Sequence, residues 1–146
     1  MRIAVTGISG FIGSHLAQAL LEQTNHEVVG LSRSGYQSQN PRLQVKTCDL
    51  YSLLEIEEAL KNCDVAIYLV HSMSPSSRLA QGNFQDFDFI LADNFAKAAL
   101  ACGVQKIIYV SGIIPENDPL SDHLKSRLEV EETFRKSKIP LLTLRC

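Results

Sequence analysis

Short apolar runs alternate with amphipathic stretches along the whole chain. Residues 2–6 (RIAVT) form an apolar run long enough for a buried strand and too short for a helix. The next segment puts Ile12, Leu16, Ala19 and Leu20 on one helical face and predicts a helix ending near Thr24-Asn25. A second strand follows at 26–32 (HEVVGLS), then a polar loop, SGYQSQNP, and a third strand, LQVKT. Ser52 opens S-L-L-E, with Glu55 three residues on, a capping-box signature for a helix over 53–61. DVAIYLV reads as a buried fourth strand, HSMSPSSRLAQGN as a loop. A long helix then carries Phe84, Phe87, Leu91, Phe95, Ala98 and Cys102 on one stripe, with Gly103 in the stop position. KIIYV, a helix over 122–137, and PLLTLR complete the pattern. Such alternation requires right-handed crossovers and a parallel sheet with helices on both faces. The expectation is one α/β domain over residues 1–146, a doubly wound sheet in the order 3-2-1-4-5-6.

Within that frame the first strand-to-helix turn, TGISGFIG, stands out. Gly7 allows a tight turn off the strand, Gly10 lets backbone approach a diphosphate, and Gly13 lets the helix pack flush on the sheet. The helix start offers unpaired N–H groups and a partial positive charge to an anion. Small residues also ease any tight turn, but this one lies inside a β-α-β unit of about 30 residues, the context of a dinucleotide fingerprint. Thr6, Gly7, Ser9, Gly10, Phe11, Ile12 and Gly13 are therefore the candidate cofactor-binding residues of the turn. An NAD site places a carboxylate at the tip of the second strand. Here that tip reads Leu31-Ser32-Arg33-Ser34, without an acid. Ser32 and Arg33 thus favour NADP(H), Arg33 pairing with a 2′-phosphate, with NAD as the alternative. Asp49 and Leu50 sit where an adenine ring would lie, although Asp49 reads equally as a helix-entry residue.

Composition narrows the classes. The 146 residues carry 14 basic and 16 acidic side chains with no run of one sign, which argues against a nucleic-acid or membrane-surface patch. Neither a signal-peptide pattern nor an apolar stretch of about 18 residues is present. Cys48, Cys63, Cys102 and Cys146 form no C-x-x-C pair, and no His/Asp/Glu cluster has metal-ligand spacing. The expectation is a reduced, cytoplasmic protein without a metal site. IPLLTLRC closes the sequence on a strand-like run without a polar tail, as the N-terminal part of a longer chain would.

The chain resembles the extended and atypical branches of the short-chain dehydrogenase/reductase superfamily. The resemblance rests on TGISGFIGSHL, CDL, DNFAKAALACGV, IIYVSG, HLKSRLEVEE and IPLLTLR, and so covers nearly the whole chain. It is closer to atypical, epimerase-like NAD(P)-binding members, including NmrA-like proteins and relatives of a respiratory complex I accessory subunit. That resemblance implies a dinucleotide site here, a substrate domain built mostly from a C-terminal part, and pairing of long helices as a homo-oligomer interface. It also implies a catalytic Ser and a Tyr followed four residues later by a Lys, whose ammonium makes the phenol a usable acid or base. Ser111 matches the Ser, but no Y-x-x-x-K exists in the chain, and HLKSR stands at the expected place. His123 and Arg127 keep the spacing, so the imidazole is a candidate for proton transfer and Arg127 for gripping the ribose hydroxyls. His71 and Ser72 follow the fourth strand, where such folds bind ligands, and His71 is a candidate for the nicotinamide pocket. Asn94 matches an asparagine that supports active-site backbone in the family, while His15 and His26 read as surface residues. Two functions compete: an NADP(H)-dependent oxidoreductase or epimerase-like enzyme acting on an unnamed small molecule, and a non-catalytic NADP(H) sensor or assembly subunit.

Overall fold

The computed structural model describes residues 1–35, 37–71, 84–115 and 119–146. The loop expected over 71–83 therefore lies outside the described residues from Ser72 onward, as does the Phe84 side chain of the apolar stripe.

Six apolar runs become strands because each is short and bounded by turn residues, and most are rich in β-branched residues. They are β1 (Arg2–Thr6), β2 (Glu27–Ser32), β3 (Leu43–Thr47), β4 (Val65–Tyr68), β5 (Lys106–Ser111) and β6 (Leu141–Arg145). All neighbours are parallel and the order is β3-β2-β1-β4-β5-β6, as the sequence pattern predicts. The sheet reverses direction of growth between β1 and β4, and the carboxyl ends Thr6, Ser32, Tyr68 and Ser111 share one edge.

Period-two alternation splits the strands between two cores. Ala4, Val29, Ala66, Tyr68, Ile107 and Tyr109 face one way, against α2 (Leu53–Leu60), α3 (Phe84–Ala101) and α4 (Asp122–Lys136). Ile3, Val5, Val28 and Ile67 face the other way, against Ala17 and Leu21 of α1 (Phe11–Gln23). In the larger core the Tyr68 ring sits 5.0 Å from both Phe95 and Phe134, and Tyr109 sits 5.6 Å from Phe134. Burial pushes the Tyr68 phenol far up, so it serves packing and not acid–base chemistry.

Helix ends follow their signals with two differences. Gly103 takes φ +73° just past α3, the left-handed stop that favours glycine. Ser52 caps α2, its Oγ accepting from Glu55 N at 3.3 Å. The capping box is only half formed, because the Glu55 carboxylate accepts from Asp49 N at 2.8 Å and not from Ser52 N. Ser52 N instead donates to the Asp49 carbonyl, so the turn has already satisfied that donor. At the other end of α1, Arg42 donates to the Thr24 and Leu21 carbonyls and closes the helix from a neighbouring loop. The four cysteines are free, and burial raises the Cys48 thiol to about 11, well away from a reactive thiolate. Among the described residues, no helix is long and apolar enough to cross a membrane.

Candidate functional site

The β1–α1 turn is built by exclusion. Gly7 turns the chain at φ +65°, and its carbonyl accepts from Gly10 N at 2.9 Å. A Cβ on Gly13 would stand 2.2 Å from that same carbonyl oxygen, so only glycine fits. The third glycine therefore seats α1 on the turn itself, against the Gly7 and Ile8 backbone, and not on the sheet as its place in the motif predicts. Ile8 points down from the turn and is fully buried. It lies over Gly30 of β2, where a Cβ would meet Ile8 Cγ1 at 2.6 Å. Gly30 belongs to this machinery and sequence reasoning missed it, although a lone glycine inside a strand signals such close approach.

Above the turn the backbone is open. Gly10 caps α1 without a side-chain hydrogen bond, and the first turn holds no acidic residue. Its leading N–H groups therefore have neither an intrahelical acceptor nor a side-chain cap, which suits an anion. Ser9 and Gly10 are exposed, as are Phe11 and Ile12 at 80% and 54%. The diphosphate of a dinucleotide fits this cradle because nothing larger than hydrogen projects from Gly7 or Gly10.

Other candidates of the binding half divide. Thr6 is 1% exposed and its Oγ1 accepts from Leu69 N at 2.9 Å, so it ties β1 to the exit of β4 and presents no side chain to a ligand. The Leu50 side chain packs in the larger core, and Asn94 Nδ2 donates to its carbonyl at 3.2 Å. Asn94 thus pins the loop after β3. Asp49 is exposed, with Oδ1 accepting from Tyr51 N at 3.0 Å, as a helix-entry residue would. Ser32 is buried with Oγ 3.4 Å from Ser9 Oγ, and Arg33 beside it is exposed.

At the other end a cleft of about 370 Å³ opens between β4, β5 and α4, lined by Ile12, His71, Ser111, Gly112, His123 and Arg127. Ser111 ends β5, and its buried Oγ has no hydrogen-bond partner among the described residues. It nevertheless lies near enough to the Tyr109 hydroxyl to help restrain that phenol against the upward push of burial. His123 and Arg127 share a face of α4, and Arg127 Nε donates to His123 Nε2 at 3.0 Å. Arg127 Nη1 donates to the Val110 carbonyl at 3.2 Å. The His71 and His123 rings face each other edge-on, 5.9 Å apart. Withdrawal from water, and then the Arg127 charge, lower the His71 pKa from its ordinary value. His15 is exposed and His26 half-buried, both away from the cleft lining.

Sequence reasoning also missed the support beneath the cleft. Ser126, between His123 and Arg127, donates to buried Asp88 of α3 at 2.8 Å. A polar residue set within the apolar stripe of α3 was the available signal. One turn further on, buried Glu131 accepts from Arg145 of β6 and from Arg135. Among the described residues no group of three His, Cys, Asp or Glu could hold a metal ion.

Comparison with known proteins agrees with this geometry. The model of the NAD dependent epimerase/dehydratase family matches residues 3–139. The auxiliary protein GraX of Staphylococcus aureus is 23% identical over 121 residues, covering 82% of this chain and 39% of that protein. The dTDP-glucose 4,6-dehydratase DesIV of Streptomyces venezuelae, solved as a double mutant with NAD and DAU bound, superposes with a TM-score of 0.80 at 21% identity. It covers 100% of this chain and 55% of its own. The UDP-glucuronic acid 4-epimerase of Bacillus cereus, in complex with UDP-glucuronic acid and NAD, gives 0.77 at 25% identity, covering 99% and 56%. The chain thus spans about half the length of such structures and less of GraX.

Proposed function

The chain belongs to the NAD dependent epimerase/dehydratase family, and from that premise we propose that it is the dinucleotide-binding portion of a nicotinamide-dependent oxidoreductase or epimerase-like enzyme. The observation that carries this reading is continuity: Ile12 stands in the uncapped first turn of α1 and also lines the cleft of Ser111, His123 and Arg127. A ligand with a diphosphate at the turn would reach the cleft without leaving the sheet edge. A bound nicotinamide dinucleotide supplies the hydride donor or acceptor.

This chain's residues supply the rest. The helix start and Gly10 hold the diphosphate. Arg33 selects a 2′-phosphate, with no acid between Leu31 and Ser34 to repel it, and the preferred cofactor is NADP(H). Arg127 takes the place of the absent lysine toward the ribose hydroxyls, from the cleft wall it shares with His123. Ser111 offers its unpaired hydroxyl to a substrate oxygen. Proton exchange there falls to the imidazoles of the cleft, since the tyrosine is missing.

Calorimetric titration with NADPH and NADH side by side tests the binding claim. NADPH should bind about tenfold tighter, the worth of one charge-assisted contact. A clear NADH preference defeats the role of Arg33, and no binding of either defeats the reading. Should NADPH oxidation by a carbonyl compound survive both Ser111→Ala and His123→Ala unchanged, the assignment of the cleft fails.

A second reading is a non-catalytic, dinucleotide-responsive subunit. The absence of Tyr-x-x-x-Lys and the auxiliary role named for GraX favour it. Binding of NADPH without turnover across a panel of carbonyl compounds would select it. Under either reading we propose homo-oligomerisation through α3, where Phe89 and Ile90 are each 41% exposed, with sedimentation as the check.

A further inference from the structure

Resting on the reading that this cleft handles a substrate oxygen, we propose that His71 is its proton acceptor and that His123 is a positioning residue. A base needs a nitrogen lone pair free to take a proton. His123 lacks one on the side that matters. Its Nε2 accepts from Arg127 Nε at 3.0 Å, and a guanidinium is always a donor, so the ring proton of His123 is assigned to Nδ1. Arg127 cannot easily swing away, because Nη1 is bonded to the Val110 carbonyl.

His71 faces that pair from the end of β4, with ring centroids 5.9 Å apart and planes at 71°. The Leu69 carbonyl lies beside the ring, and among the described residues no hydrogen-bond donor engages a His71 ring nitrogen, so one nitrogen keeps its lone pair there. The groups around the ring are Arg127 and His123 on α4, Asp88 on α3 and the Leu69 carbonyl. Loss of water and the Arg127 charge outweigh Asp88 and Leu69 and hold the ring's pKa below its ordinary value.

The step balances without further reagents. The substrate O–H bond breaks, its proton passes to the free His71 nitrogen, and the electron pair stays on oxygen. The ring becomes imidazolium, and the oxyanion faces the unpaired Ser111 hydroxyl and Arg127.

Diethyl pyrocarbonate tests this directly, since it acylates an imidazole only through a free lone pair. The ring nitrogen attacks one carbonyl, and the departing half leaves as ethanol and carbon dioxide. Site-resolved mass spectrometry of the intact chain over a pH series should show His71 modified about tenfold faster than His123, whose charge-assisted bond must first break. The His71 rate should have a midpoint below 6.5. Arg127→Leu should raise that midpoint and release His123 to react. His123→Gln, whose amide oxygen still accepts from Arg127, should leave His71 reactive. Saturating NADPH should slow the His71 reaction. Equal or faster modification of His123 in the unaltered chain overturns the assignment, as does a His71 midpoint at or above 6.5. Failure of both dinucleotides to bind in calorimetry, with the reactivity order intact, would instead strike the proposed function. Binding without protection of His71 would strike this inference alone.

Discussion

The glycine turn and the α4 cleft lie at the same sheet edge but are made of different materials. At the turn the chemistry is backbone N–H and empty space, and each essential position is defined by what cannot be there: a Cβ at Gly13 would lie 2.2 Å from a carbonyl oxygen. In the cleft the chemistry is side chains on a helix, and spacing matters more than identity. His123 and Arg127 occupy the i and i+4 places and hydrogen-bond to each other at 3.0 Å. A site defined by exclusion tolerates almost no substitution, whereas one defined by spacing can change its reagents and keep its geometry. The glycine turn is therefore the more constrained of the two, and the α4 cleft the more open to revision.

Four single substitutions and one double mutant probe that contrast, in falling order of effect. Gly13→Ala should cost at least about 3 kcal/mol in urea unfolding, because two backbone segments must part. In an unobstructed helix interior the same change would stabilise by up to ~1 kcal/mol, so a neutral outcome would refute the exclusion argument. Gly30→Ala should cost about 2 kcal/mol through the Ile8 side chain. Adding Ile8→Ala to it should cost less than the sum of the two singles by roughly 1 kcal/mol, and strict additivity would show that the contact is not the cause. Arg33→Ala should weaken NADPH about tenfold in calorimetry and leave NADH unchanged, if the exposed guanidinium pairs with the 2′-phosphate as proposed. Ser126→Ala should cost about 1 kcal/mol, because Asp88 stays buried with one donor fewer. Hydrogen exchange should report that loss along α4 first; a uniform loss across the sheet would mean that Ser126 does not anchor the cleft wall.

Much of the fold was legible in advance because each local signal agreed with the next. Strand order followed from alternation, and α3 stopped where Gly103 takes φ +73°. The site was less even. The family resemblance points to Ser111 and to the place of His123 and Arg127, and all three line one cleft. Thr6 and Leu50 were drawn in by adjacency, but strand alternation and core packing turned their side chains elsewhere. Asp88 with Ser126, and Gly30 with Ile8, went unseen because each pair is distant along the chain and meets only after α3 and α4, or β2 and the turn, have packed.

By itself, then, the order of residues determined the elements, their parallel arrangement and the bare start of α1, since these rest on periodicity and on glycine's lack of a side chain. Tertiary packing alone decided which cleft imidazole lies across from the Arg127-bound one, which glycines bear on a neighbour, and which polar groups lie beneath the cleft. Those outcomes depend on contacts a few ångströms long between segments tens of residues apart, and no local pattern encodes such distances.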